Sequence, residues 1–494
     1  MFAKLWERIV VKHARTGLWP FLIAGACIVS ACGGARSPAR LVLTECEIKG
    51  ATEKARCGTL EVPENWDDPG ARKIALNIVV VPAVEPSGLS PLFDLAGGPG
   101  AAATNGADYF LGEGSANRAR RDVVLFDQRG TGASAPLRCP ELENRSPLLR
   151  MYPPDKVRGC RDELSRNHDL SQYTTTASVR DMEAIRAAIG AETIDLYGMS
   201  YGTKLAQAYV RAHPDRVRST TLMGVAPMDL KTPLFHARNA EGVLRLVFKD
   251  CAADAACAAA YPTLEADWAS VGAMFDAGPI PMATPDGEIA VEKGPFMEAF
   301  RSLLGSESGQ RSVPKLIRAT AARDYAPFVE AVTGGPRGFL AEGLYLSIEC
   351  AEGASLIDPG EIDASVAGTF LGRYRVDEQM AACREWGTPA APVAFADPVV
   401  SNTPVFLLVG GHDHVTPPEF AERVARGFAN HRLVVVEAMA HNASAISNMQ
   451  CVDGMIAAFD GAADPKVIDA TCTADMKAPP FDLGNTAESG TSTK

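Results

Sequence analysis

The chain has 494 residues, 47% hydrophobic and 22% charged, which supplies a large core and excludes a disordered composition. Its formal net charge of -12 argues against nucleic acid or an anionic membrane surface as the main partner. Mild acidity by itself does no more than keep a protein in solution.

The N-terminus reads as a targeting segment. Lys4, Arg8, Lys12 and Arg15 form a basic leader, and Leu18 to Ala31 follows without a charge. That run is short for a bilayer-spanning helix and suits a secretory signal peptide over residues 1–31. Val29-Ser30-Ala31-Cys32 resembles a bacterial lipobox, in which the cysteine is lipidated and becomes the new N-terminus. Cys27 fits less well, because Ala24 stands where a larger aliphatic residue is usual. Ordinary cleavage without lipid is the simpler alternative. A lipid on Cys32 would anchor the chain to a membrane without spanning it, with residues 32–45 as tether. Ten of the 12 cysteines would remain. An even number in an exported chain suggests disulfides, and sequence neighbours could pair throughout. No C-x-x-C pair is present to favour a metal site.

The mature chain opens with short apolar runs, Gly58–Pro63, Lys73–Pro82, Leu92–Leu95 and Asp122–Asp127, the last two stopping near glycines. They read as buried strands. Ser178–Ile189 reads as a helix, with Val179, Met182, Ile185 and Ile189 on one face and Gly190 as its stop. Thr193–Tyr197 reads as a strand, Tyr201–His213 as a helix and Ser219–Met223 as a strand. Helical text then dominates, as at Ala237–Ala253 and Pro314–Thr333. Strand text returns at Val405–Val409 and Leu433–Val436. Strand–helix alternation with a helical interruption describes an α/β core, mostly parallel, with an inserted cap. The expected division is core 46–228, cap 229–395, core 396–475 and a disordered tail 476–494.

The strongest motif is Gly198-Met199-Ser200-Tyr201-Gly202, a G-x-S-x-G between a predicted strand and a predicted helix. A sharp turn there lifts the serine hydroxyl above the sheet edge, and the following helix points its positive end at developing negative charge. A plain strand-to-helix turn is the alternative. A serine hydroxyl needs a base and an orienting carboxylate, which this arrangement places later in the order acid, then histidine. Asp413 follows the strand Val405–Val409. His441 follows the next strand, whereas His431 begins it. These are the expected acid and base. His412-Asp413-His414 also allows a metal reading, but no H-E-x-x-H accompanies it. The backbone N–H of Tyr201 and of Gly98, in Gly97-Gly98-Pro99-Gly100, are the expected oxyanion donors; a structural glycine turn is the alternative for the latter.

Together, Gly97–Gly100, Asp127-Gln128-Arg129-Gly130-Thr131-Gly132-Ala133-Ser134 and Gly198–Gly202 resemble the prolyl iminopeptidase and tripeptidyl aminopeptidase family of α/β-hydrolases. Pro404 to Asp413 with Val415-Thr416-Pro417-Pro418 is similar to the tripeptidyl-aminopeptidase-like C-terminal region. Cys251–Cys257 and Cys350-Ala351-Glu352 look like cap segments of that group. The resemblance runs from about Cys46 to Cys472. It implies an exopeptidase acting on peptides with a free N-terminus, with Ser200 as nucleophile, His441 as base and Asp413 as acid. Metal or organic cofactors would not be needed. Cap acids would meet the substrate amine, with Glu352 and then Glu349 as candidates; surface helix acids are the alternative. Ala440 and Asn442 flank the histidine where glycine is common, and Ala96 replaces the histidine of prolyl iminopeptidases. A carboxylesterase or lipase on the same scaffold is the nearest rival, and a binding protein that has lost catalysis a more distant one.

Overall fold

The computed structural model describes residues 41–484 except 69, 71 and 336. The leader, Cys27, Cys32 and the last residues of the tail lie outside the described residues. The strands are β1 (Thr44–Glu47), β2 (Lys54–Pro63), β3 (Lys73–Val81), β4 (Leu92–Leu95), β5 (Val123–Phe126), β6 (Ile194–Met199), β7 (Val217–Met223), β8 (Ile280–Thr284), β9 (Gly287–Val291), β10 (Val405–Gly410) and β11 (His431–Val436). Nine of them build one sheet in the order β1-β2-β3-β5-β4-β6-β7-β10-β11, while β8 and β9 form a separate hairpin. β1, β2, β3 and β5 pair antiparallel; from β5 through β4 to β11 every pairing is parallel. All of β5 and β10 is buried, which explains why both read as unbroken apolar runs rather than alternating ones. The fold is that of an α/β-hydrolase.

Helix α1 (Thr175–Ala188) covers the sheet and starts earlier than its apolar stripe suggests, because Thr174 caps it by accepting from the Ala177 N–H. Helix α2 (Tyr201–Ala212) follows β6 directly. Between β7 and β10 the chain leaves the sheet for a largely helical segment. Its main helices are α3 (His236–Ala253), α4 (Lys293–Leu303), α5 (Glu307–Ala321), α6 (Glu342–Glu352) and α7 (Tyr374–Trp386). Much of this segment has its own aromatic core, in which the tilted rings of Phe296 and Phe328 have centroids 4.3 Å apart and those of Trp268 and Phe300 4.4 Å apart. Helix α8 (Gln450–Ala462) follows β11.

Residues 314–333, expected as one helix, are two. Ser306 caps α5 through the Gly309 N–H, so that helix begins upstream and holds Pro314 inside it. The chain then breaks at Arg323, whose φ is 64°, and a new helix runs Ala326–Thr333.

Five disulfides join sequence neighbours: Cys46–Cys57, Cys139–Cys160, Cys251–Cys257, Cys350–Cys383 and Cys451–Cys472. Such a set fits an oxidising, extracytoplasmic compartment. Among the described residues no helix is long and apolar enough to cross a membrane.

The turn after β5 is pinned by a buried ion pair. The Arg129 guanidinium donates to both Asp181 oxygens, at 2.7 and 2.6 Å, and to the carbonyls of Glu64 and Gln172. Both side chains are fully buried. Removing one partner strands a buried charge, so Arg129→Met is expected to lower stability by about 3–5 kcal/mol. Chemical unfolding measures this, and an unchanged midpoint would show that the pair does not carry the turn.

Candidate active site

Ser200 is the single residue between β6 and α2. Its φ of 55° and ψ of -122° lie where a side chain is strained, typically by about 1–3 kcal/mol. Backbone bonds hold it there: its N–H donates to the Met223 carbonyl at 2.9 Å, and its carbonyl accepts from the Thr203 N–H and hydroxyl. The turn closes because its flanks are bare. A Cβ on Gly202 would lie 1.9 Å from the Leu95 carbonyl oxygen, and one on Gly198 would lie 2.6 Å from that of Gly202. The hydroxyl is therefore carried to the carboxyl edge of the sheet, at the positive end of α2.

The chain returns to that edge twice more. Asp413 follows β10, and its Oδ1 accepts from the N–H groups of Val415 and Thr416, both at 2.8 Å. Its Oδ2 accepts from the Thr416 hydroxyl at 2.7 Å and meets His441 Nδ1 at 2.7 Å. His441 Nε2 lies 3.1 Å from Ser200 Oγ. Three side chains far apart in sequence thus form one hydrogen-bonded line. Burial alone would raise the Asp413 carboxyl, but the facing imidazole and the Thr416 donors outweigh it and hold its pKa at about 2. Burial works against a charged His441, yet the Asp413 carboxylate prevails and raises its pKa above the ordinary 6.5.

Gly98, Ser200 and Tyr201 border one cavity of about 180 Å³. The Tyr201 N–H opens α2 and so has no acceptor within its helix. The Gly97-Gly98 loop abuts the serine: a Cβ on Gly97 would lie 3.0 Å from Ser200 Cβ. The Tyr201 hydroxyl faces elsewhere, bonding Gln128 at 3.0 Å and Thr175 at 2.7 Å.

The flanking histidines diverge from the line. His412 pairs with Gln310 at 3.1 Å, and His414 Nε2 meets Arg301 at 2.9 Å, with burial pulling the His414 pKa down to about 3. The two cap acids also part. Glu352 spends both oxygens on Thr175, at 2.8 and 2.6 Å, whereas Glu349, one turn earlier on α6, borders the cavity with Oε2 unpartnered. Burial raises both pKa values.

Two groups escaped the sequence reading. Glu307, fully buried at the start of α5, accepts from the N–H groups of Ala440 and Ala445 on either side of His441. Nothing in its sequence context marks it. Lys204 borders the cavity and could have been found, because its spacing of four from Ser200 places it a helical turn away. A larger cavity of about 490 Å³ lies at the amino ends of β4, β5 and β6, away from all these groups.

This combination defines an α/β-hydrolase with a serine–histidine–aspartate line at the carboxyl edge of its sheet. Residues 94–256 match the α/β hydrolase fold family and residues 368–472 the TAP-like protein family; the first span holds Ser200 and the second Asp413 and His441. The chain has the α/β-hydrolase fold, and its C-terminal region is similar to the TAP-like family. It is 30% identical over 249 residues to serine protease Hip1 of Mycobacterium tuberculosis, covering 47% of each chain. It is 29% identical over 181 residues to the tripeptidyl aminopeptidase of Streptomyces lividans, covering 33% of this chain and 34% of that one. Against a probable proline iminopeptidase of Streptomyces coelicolor it is 31% identical over 136 residues, covering 28% and 33%. The chain spans less than half the length of these relatives.

A histidine must be neutral to accept the serine proton, so kcat/KM is expected to rise with pH through an acid limb above pH 6.5. Asp413→Asn removes the raising influence and leaves the lowering one, which moves the limb to lower pH and reduces turnover by about 10⁴-fold. A pH–rate profile reads both, and a limb that stays put would contradict the assignment.

Proposed function

We propose that this protein is an exported serine aminopeptidase that hydrolyses peptides from a free N-terminus through an acyl-enzyme. The continuous hydrogen-bonded line from Ser200 through His441 to Asp413 carries this reading. His441 takes the Ser200 proton as the hydroxyl attacks the scissile carbonyl. The N–H groups of Tyr201 and Gly98 receive the oxyanion. Protonated His441 then hands its proton to the leaving amine, and water activated by the same imidazole releases the acyl group. Asp413 holds the ring in the tautomer with Nε2 free and stabilises its charged form.

Peptide rather than ester chemistry is favoured by Glu349, a buried acid that borders the cavity and keeps one carboxylate oxygen free of hydrogen bonds, an acceptor suited to a protonated amine. Glu352 lies behind it on the same helix. The relatives named as a serine protease and aminopeptidases support the same class. Residues 229–395 serve as the cap that covers the site. The leader exports the chain, and Cys32 carries a lipid that anchors it to a membrane.

Ser200→Ala is expected to lower kcat by on the order of 10⁶-fold with an unchanged circular dichroism spectrum. In the wild type, N-acetylation of an alanyl-alanyl p-nitroanilide is expected to reduce kcat/KM by roughly 30-fold or more, because the buried acid loses its charged partner. Equal rates for the blocked and free substrates, or faster turnover of short p-nitrophenyl esters alone, would favour the esterase.

A further inference from the structure

His441 stands in a long loop, residues 437–449, between β11 and α8. The sheet side fixes the start of that loop, where the Met439 carbonyl accepts from the His412 N–H at 3.0 Å. Around the imidazole itself the grip comes from the helical segment. The N–H groups of Ala440 and Ala445 donate to the two oxygens of Glu307 at 2.8 and 3.2 Å, and the Asn442 N–H donates to the Gly305 carbonyl at 2.8 Å. Residues 305–307 therefore hold the backbone on both sides of His441.

A turn further along α5, Gln310 grips the loop of the acid. Its Nε2 donates to the His412 carbonyl at 3.0 Å, and its Oε1 meets His412 Nδ1 at 3.1 Å. A spacing of three puts Glu307 and Gln310 on one face of the helix. A tight junction fixes that face: a Cβ on Gly309 would lie 2.0 Å from the Leu303 carbonyl oxygen, so α5 closes on the end of α4 only with glycine there. Neither Glu307 nor Gln310 is among the described residues that border the cavity at Ser200. Both meet the reaction only through the loops they hold.

The type of side chain at 307 follows from this task. Glu307 is fully buried, and burying a carboxylate is costly unless its oxygens are hydrogen-bonded. A carboxylate accepts at both oxygens, whereas an amide of the same shape would turn its NH2 towards one of the two N–H donors. Packing alone would be served by an apolar residue. The imidazole must meet Ser200 Oγ at 3.1 Å and Asp413 Oδ2 at 2.7 Å together. A ring displaced by about 1 Å loses one of these contacts, and such a misplacement can cost about 100-fold in rate.

We infer that Glu307 is a positioning residue for the reaction, a carboxylate of the helical segment that holds the His441 loop so that the imidazole reaches Ser200 and Asp413 at once. This rests on His441 acting as the base.

Glu307→Gln is the near-isosteric test, and Glu307→Ala removes both acceptors. A fluorophosphonate separates geometry from folding, because the final extent of Ser200 labelling counts folded molecules and the rate constant reports activation of the hydroxyl. The same variants are assayed for kcat and KM on alanyl-alanyl p-nitroanilide, or on p-nitrophenyl acetate should the wild type cleave only esters. In Glu307→Gln the rate constant and kcat are expected to fall by about 10- to 100-fold with KM and the extent of labelling unchanged, and in Glu307→Ala to fall at least as far. An unchanged rate constant, a loss confined to the extent of labelling, or a change seated in KM overturns the inference and leaves the catalytic line intact. A wild type that does not label at Ser200 overturns both. Should neither variant fold, amide exchange in the unmodified protein decides. The Ala440 and Ala445 N–H groups are expected to exchange far more slowly than exposed-loop amides, and exchange at exposed-loop rates overturns the inference.

Discussion

The turn between β6 and α2 exists because two stretches of backbone touch. Helix α2 can start immediately after the strand only if Gly202 lies against the Leu95 carbonyl with no side chain between them. That contact forces Ser200 into its left-handed conformation, and the bonds from Met223 and Thr203 keep it there. A serine in an ordinary strand or helix would have its hydroxyl among sheet or helix neighbours. At this junction it stands clear of both, beside the Gly97-Gly98 loop and the first N–H of α2. The strain is local, and its cost is met by the packing of the parallel strands on either side.

The histidine depends on both parts of the molecule. Asp413, fixed by three donors from its own loop, sets the ring from the side of the sheet. Glu307 and the Gly305 carbonyl hold the backbone around His441 from the helical segment, through Ala440, Ala445 and Asn442. The imidazole is thus oriented where the two parts meet. A rearrangement of the α4–α5 junction would reach the imidazole through three hydrogen bonds, which gives the helical segment a physical route to the chemistry besides covering the cavity.

Local pattern made much of this legible. Short apolar runs ending in glycine revealed the central strands, and G-x-S-x-G revealed the serine because the turn demands glycines on both flanks. Asp413 and His441 could be chosen because each follows a parallel strand, where loops gather at one edge. Legibility failed where long-range contacts decide. The upstream start of α5 depends on a cap at Ser306, and the break within 314–333 on a left-handed Arg323, neither of which disturbs the apolar periodicity. The β8–β9 hairpin was missed although Pro285-Asp286-Gly287 between the strands is a readable turn signal. Which of two acids one turn apart faces the cavity depends on Thr175, a residue on another helix. Glu307 is a glutamate among many, given its role by a loop more than a hundred residues away.

The central claim is that Ser200 is a nucleophile made reactive by His441. The most direct measurement is intact-mass and peptide-mass analysis after treatment with a fluorophosphonate. One adduct per chain on the peptide containing Ser200, greatly slowed in His441→Ala, is the expected result. Failure to label, labelling of another residue, or labelling indifferent to His441 would contradict it.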